Sequence, residues 1–237
     1  MRGWTVAVAG AALASAAMAQ EVTITAVAVG SPNPPPVFDQ DILNGDFLIL
    51  KNPEQQVTTG DGVDETTTWT IDFTGDPNFA AFPQTGRVTA ATLSLTLTTP
   101  YAPGPITDLV RWGNFGVPSI PIPEFIPNGG TGRIEFDLLD YMCGELLLSD
   151  LQTHGFAATA YYADDAVVSF AQMRITAKPA CEGDVDGDGD VDLSDLGVVL
   201  ANFNGAVGCA SDGDLDGNGV VDLSDLGIVL AAFGNVC

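Results

Sequence analysis

Two stretches thirty residues apart constrain this chain more than anything else in it. Residues 183 to 197 read GDVDGDGDVDLSDLG, and residues 213 to 227 read GDLDGNGVVDLSDLG. Each places oxygen-bearing side chains at positions 1, 3, 5, 9 and 12 of a twelve-residue loop with glycine at position 6. That is the arrangement needed to wrap one Ca²⁺ ion in oxygen ligands. A segment with this pattern is expected to fold as two equivalent cation loops, with two ions per chain.

The ligand set follows from the size and hardness of the ion. Ca²⁺ takes six to eight oxygens at about 2.3 to 2.6 Å, so alternate side chains turn inward. In the first loop these are Asp184, Asp186 and Asp188, and in the second Asp214, Asp216 and Asn218. Gly189 and Gly219 permit the sharp bend, after which the backbone carbonyl of Asp190 or Val220 turns toward the metal. Asp192 and Asp222 contact it directly or through water, and Asp195 and Asp225 close the site. Two like charges about 4 Å apart cost roughly 1 to 4 kcal/mol, so a loop gathering several carboxylates implies a cation.

Each loop runs into an apolar periodicity. Leu193, Leu196, Leu200 and Phe203 recur at steps of three and four, as do Leu223, Leu226, Leu230 and Phe233, and this predicts one amphipathic helix after each loop. Gly205 and Gly234 stand where C-terminal caps are expected. No helical pattern precedes either loop, so the repeated unit is loop plus exiting helix.

These residues resemble a known family. The duplicated loop and helix, Asp at position 12, Val191 and Val221 at position 8, and Leu after the loop are similar to a type I dockerin over about residues 181 to 237. The resemblance implies a small all-α calcium-binding module that attaches its protein to a cohesin-like or other cell-surface partner, often with a polysaccharide-degrading enzyme as cargo. The chain departs from the cellulosomal pattern: Leu193-Ser194 and Leu223-Ser224 stand where Ser-Thr is common, and Leu200-Ala201 and Leu230-Ala231 replace a basic pair. No Lys or Arg follows Lys178. A protein partner is therefore expected to offer an apolar or basic surface. The near-identity of the copies also suggests two docking modes related by a half turn.

Residues 1 to 19 read as a secretory signal peptide: Met1-Arg2-Gly3, an apolar Ala-rich run, then Ala17-Met18-Ala19 before Gln20. A secreted, extracellular or cell-surface chain, not inserted in the membrane after cleavage, is expected. In that compartment four cysteines favour disulfides, with three pairings open. In a two-fold pair of calcium units the start of the first lies near the end of the second. That favours Cys181 with Cys237 as a clasp, and leaves Cys143 with Cys209 tying the module to the preceding domain. The net charge of −24 argues against nucleic acid and anionic membranes as partners. Twelve acidic residues and no basic one lie from 180 onward.

The region before the loops has the texture of strands. Residues 21–29, 47–51, 66–73, 87–99, 132–139, 156–163 and 167–178 are rich in β-branched and aromatic residues, and 92–98 alternates Leu with Ser or Thr. Residues 144 to 152 read as a short helix. The expected fold is mainly β: an antiparallel β-sandwich, jelly-roll-like, over 20–178, a linker at 179–182, and the calcium-binding module at 183–237. Pro-rich segments at 31–37 and 117–127 are expected as loops rather than central strands.

Among the aromatics, Trp69, Trp112, Tyr101, Tyr161 and Tyr162 are candidate stacking faces for sugar rings, though for each one packing is the commoner role. Catalysis has little support. His154 is the sole histidine, no nucleophile elbow, zinc motif or phosphate loop occurs, and Asp137 with Asp140 or Asp164 with Asp165 suit turns as well as they suit a hydrolase pair. The expected function is a secreted calcium-binding protein whose dockerin-like module mediates attachment and whose β-domain is a non-catalytic ligand-binding or structural unit. The competing reading is a tethered polysaccharide-degrading glycoside hydrolase.

Overall fold

The structure, a computed structural model, describes residues 20–35, 40–50, 66–99, 108–111, 120–122, 130–163 and 166–237. The signal peptide expected over residues 1–19 lies outside them, as do Tyr101, Trp112, Asp164 and Asp165.

The described chain is mainly β, with two antiparallel sheets and three α-helices. Strands β1 (Val22–Val29), β2 (Ile42–Asn44), β3 (Phe47–Leu50), β4 (Thr66–Asp72) and β5 (Gly86–Thr99) come first. After them come β6 (Asp108–Arg111), β7 (Ile120–Ile122), β8 (Gly130–Asp137), β9 (Ala157–Ala163) and β10 (Val167–Pro179). Helix α1 (Gly144–Thr153) lies between β8 and β9, and α2 (Leu193–Ala201) and α3 (Leu223–Ala232) follow the two loops. One sheet has the order β1-β10-β5-β8, the other β2-β3-β4-β9-β6-β7.

Strand alternation builds the main core. Leu93, Leu95 and Leu97 of β5 face inward with Ile24 of β1, Met173 and Ile175 of β10 and Ile134 and Phe136 of β8. The opposing sheet contributes Phe47, Trp69, Ile71, Ala160 and Tyr162 to the same cluster. An apolar contact shared by two antiparallel sheets is the arrangement of a sandwich. The alternation read at 92–98 is therefore real: its leucines are inside, and Ser94 donates to Glu135 Oε1 at 2.9 Å on the other face. Helix α1 closes the core with Leu147, Leu148 and Leu151.

All seven expected strands are present, with shifted ends. The run expected over 132–139 stops at Asp137, whose Oδ1 accepts the Leu139 N–H at 3.0 Å and starts a 3-10 turn over Leu138–Asp140. Strands β2, β6 and β7 were not anticipated. β7 lies in the Pro-rich segment read as loop, and it runs through Pro121 at the outer edge of its sheet, where a missing ladder donor is tolerated.

The chain after β10 has its own small apolar cluster of Val185, Val191, Val199, Val221, Val229 and Ala232. Cys181–Cys237 and Cys143–Cys209 are both bonded, the pairing favoured from the two-fold argument.

Candidate metal centre

Each loop is organised by its own carboxylates accepting backbone N–H groups. In the first, Asp184 Oδ1 accepts from Gly187 at 2.7 Å, Asp186 Oδ1 from Asp188 at 3.1 Å and Asp188 Oδ1 from Asp190 at 3.1 Å. In the second, Asp214 accepts from Asn218 and Gly219, Asp216 from Asn218, and Asn218 Oδ1 from Val220. These turns tie side chains 1, 3 and 5 back to the loop's own backbone. Gly189 (φ 100°) and Gly219 (φ 88°) occupy the left-handed region, the bend asked of position 6.

The ends of the loops are helix caps. Asp192 is the N-cap of α2 and accepts the Ser194 N–H, while Asp195 reaches back to accept the Asp192 N–H at 2.8 Å. Asp222 and Asp225 make the same capping box at α3. Positions 9 and 12 thus serve the helix as well as the loop. Asp195 and Asp225 are fully buried, and their Oδ1 atoms take N–H groups from Val185 and Asp186 and from Leu215 and Asp216.

The loops are tied into a pair by backbone bonds between copies. Val191 N–H donates to Asn235 O and Cys237 N–H to Gly189 O, so the tail after α3 runs along the first loop. Val207 N–H donates to Gly219 O and Val221 N–H to Gly205 O, so the chain after α2 runs along the second. Gly183 lies against Ala232 and Gly213 against Val199, where an added Cβ would come within 2.9 and 3.2 Å of those residues. Exchange of tails brings Cys237 beside Cys181.

The carboxylates converge. Oxygens of Asp184, Asp186 and Asp195 lie within 4.8 Å of one another, as do those of Asp190, Asp192 and Asp195, and those of Asp214, Asp216 and Asp225. Oxygens bound to one Ca²⁺ ion lie no farther apart than about twice the 2.3 to 2.6 Å bond, and these clusters fall within that limit. Asp190 Oδ1 is buried without a hydrogen-bond partner, a cost that a cation would relieve. The neighbouring charge of Asp188, then burial, pushes the Asp190 carboxyl above its usual range. Burial, with the charges of Asp195, Asp188 and Asp184, does the same to Asp186. The donor set, all hard oxygens, fits Ca²⁺. Cys181, Asp184 and Cys237 also cluster, but both sulfurs are committed to the disulfide.

Two expectations are corrected. The leucine stripes form only part of the buried face: Leu196 and Leu226 pack against the small cluster, but Leu193, Leu200, Leu223 and Leu230 are 71%, 54%, 73% and 55% exposed, and Val199 and Val229 are the fully buried residues. The reason is position 12. Once Asp195 faces its loop, Val199 one turn on faces the same way, while Leu193 and Leu200 stand about 140 to 160° around the helix. The left-handed residue after α2 is Asn204 (φ 63°) rather than Gly205, whereas Gly234 (φ 86°) has that conformation after α3.

Sequence reading also missed two cations. Arg87 and Lys178 face each other across β5 and β10 and both reach the first loop. Arg87 Nη1 donates to Val185 O, and Lys178 Nζ donates to Asp184 Oδ2 at 2.8 Å and to Gly187 O at 2.7 Å. Their scarcity in so acidic a chain was the available signal.

Elsewhere, Trp69 and Tyr162 are buried in the core, and Tyr161 carries Arg111 over its ring. Asp137 caps the 3-10 turn through its Oδ1, which accepts the Leu139 N–H. No described helix is long and apolar enough to cross a membrane.

No protein-family model matches the chain, and no curated protein matches it. Among solved structures it is similar to "CBM35 from Cellvibrio japonicus Abf62", at 8% identity and a TM-score of 0.28 over 68% of this chain and 99% of that one. It is also similar to the Podospora anserina GH26-CBM35 beta-(1,4)-mannanase, at 10% identity and a TM-score of 0.24 over 79% of this chain and 36% of that one. At these values function is argued from the chain's own residues.

Proposed function

We propose that this is a secreted calcium-binding protein whose C-terminal dockerin-like unit attaches it to a protein partner, and whose β-region is a non-catalytic ligand-binding or structural domain. The observation that carries the reading is the gathering of three carboxylates in each loop, Asp184, Asp186 and Asp195 in the first and Asp214, Asp216 and Asp225 in the second, with oxygens within 4.8 Å of one another. Asp184, Asp186, Asp188, Asp192 and Asp195 would hold one ion with the Asp190 carbonyl. Asp214, Asp216, Asn218, Asp222 and Asp225 would hold the other with the Val220 carbonyl. Bound Ca²⁺ supplies positive charge that offsets carboxylate repulsion and so favours the closed loops. The protein's own part is to pre-position the oxygens through the Asp turns and the two capping boxes.

The attachment half of the proposal is supported by the exposed leucines. Leu193 with Leu200, and Leu223 with Leu230, stand seven residues apart on single helix faces and leave apolar area in water. An acidic surround without Lys or Arg makes a cohesin-like or cell-surface partner with an apolar patch rimmed by basic residues the suitable complement.

Elemental analysis and calorimetric titration of the oxidised full-length protein test the first half, with two Ca²⁺ per chain expected; a chain that takes up none overturns the reading. For the second, Leu200→Asp with Leu230→Asp is expected to release the protein from the producing cell's surface while leaving calcium uptake intact. Retention equal to the parent's would remove the leucine faces from the attachment.

A further inference from the structure

The two loops are near-copies in sequence, yet their first ligands are held differently. In the second loop both oxygens of Asp214 are taken by the loop's own backbone, Oδ1 by Asn218 N–H at 3.0 Å and Oδ2 by Gly219 N–H at 2.8 Å. In the first, Asp184 Oδ1 takes the Gly187 N–H, and Oδ2 takes the Lys178 ammonium at 2.8 Å. The ion pair is enclosed, with side-chain exposures of 12% for Lys178 and 1% for Asp184. Lys178 belongs to β10, and its cross-strand neighbour is Arg87 on β5. Like charges directly opposite one another destabilise a sheet unless something compensates them. Here the compensation is the first loop itself, through Asp184 Oδ2 and the carbonyls of Val185 and Gly187.

We propose that Lys178 makes the loops unequal: its ammonium already occupies a ligand oxygen of the first loop, so that loop takes Ca²⁺ more weakly than the second, and its loading is coupled to the contact with the β-region. The inference rests on the calcium reading above. A fixed positive charge a few ångströms from a divalent ion is repelled enough to cost about tenfold in affinity, even in high-dielectric surroundings. Competition for Asp184 Oδ2 adds to that. Because the ammonium comes from the sheet, an ion entering the first loop repels Lys178 and so weakens one of the links between β10 and the loop. The second loop has its Asp214 oxygens closed by backbone alone and carries no such term.

The test is calorimetric Ca²⁺ titration of the full-length, oxidised chain. Asp216→Ala isolates the first loop and Asp186→Ala the second. The second loop is expected to bind about tenfold or more tightly than the first. Lys178→Met is expected to tighten the first loop by about tenfold and leave the second unchanged, while Lys178→Arg keeps the gap. Lys178→Gln, which retains a polar group without charge, repeats the measurement and is the second variant should Met disturb folding. Far-ultraviolet circular dichroism confirms the fold in each case. If removing the charge leaves the first loop's affinity unaltered or weakens it, Lys178 is an organiser of the loop and the proposal is overturned. Absence of binding at both loops in every chain would instead overturn the calcium reading.

Discussion

The β-region and the chain after it hold themselves together by different means. Between the sheets a continuous apolar cluster runs from Ile24 to Ala177, and strand ladders satisfy the backbone. The segment after Pro179 buries only Val185, Val191, Val199, Val221, Val229 and Ala232, too little apolar area to order so many residues by itself. It substitutes four buried carboxylates, Asp184, Asp195, Asp214 and Asp225, a disulfide clasp and exchanged backbone bonds. Apart from the Arg87 and Lys178 contacts with the first loop, the core of the first region should be indifferent to divalent ions, and the second region should depend on them. The contrast teaches that a repeated polar pattern can specify a local fold as strongly as an apolar one, provided a partner for its charge is present.

The sharpest way to break this contrast is Asp225→Ala. It strips the acceptor from the Leu215, Asp216 and Asp222 N–H groups, and three unsatisfied donors at roughly 1 to 3 kcal/mol each predict a loss of about 5 kcal/mol. Differential scanning calorimetry in Ca²⁺ should show a C-terminal transition moved far down and the β transition nearly in place. Joint movement of both would mean the two regions unfold as one.

A smaller effect tests the opposite side. Leu95→Ala empties a fully buried site and should cost about 3 kcal/mol in denaturant unfolding of the β-region. The loss should be the same with chelator as with Ca²⁺, and a calcium-dependent difference would end the claim of separate stabilisation.

The smallest effect is in the pH dependence, where Asp72 of the β-region and the first loop should differ in sign. Asp72 is held below its ordinary value of 3.8 by the Thr74 hydroxyl and then by the Thr74 N–H. A depressed folded value stabilises above the unfolded pKa and is lost as pH falls through the folded one, so the contribution of Asp72 fades at the acid end. Asp186, raised by burial first, and Asp190, raised by the Asp188 charge first, do the reverse in the metal-free first loop. Their penalty is present above the folded values and absent below the unfolded one, so mild acid should relieve it. Tryptophan and peptide signals followed from pH 7 to 3 in chelator separate the two trends, and parallel curves would contradict the assignment.

How much was legible depended on whether an element's cause was local. The strands around Leu93, Leu95 and Leu97 announced themselves by alternation, and the loops by spacing. β7 did not, because Pro121 reads as a breaker until one knows it occupies a sheet edge. The capping boxes were readable as Asp192 with Asp195 and Asp222 with Asp225, and went unread because the same residues fitted a ligand pattern. The leucine stripes misled: the spacing correctly signalled helices, but not which face an inward carboxylate would force outward.

By itself the sequence determined the doubled loop, the bend at each sixth position, the helix that follows and the alternating strands, since each depends on neighbours a few residues apart. Tertiary structure alone decided that the tails exchange between copies, that Leu193 and Leu200 stay in water, and that Lys178 reaches Asp184 rather than solvent. Those outcomes depend on which strand ends lie beside which loop, a matter of long-range packing that local spacing does not encode.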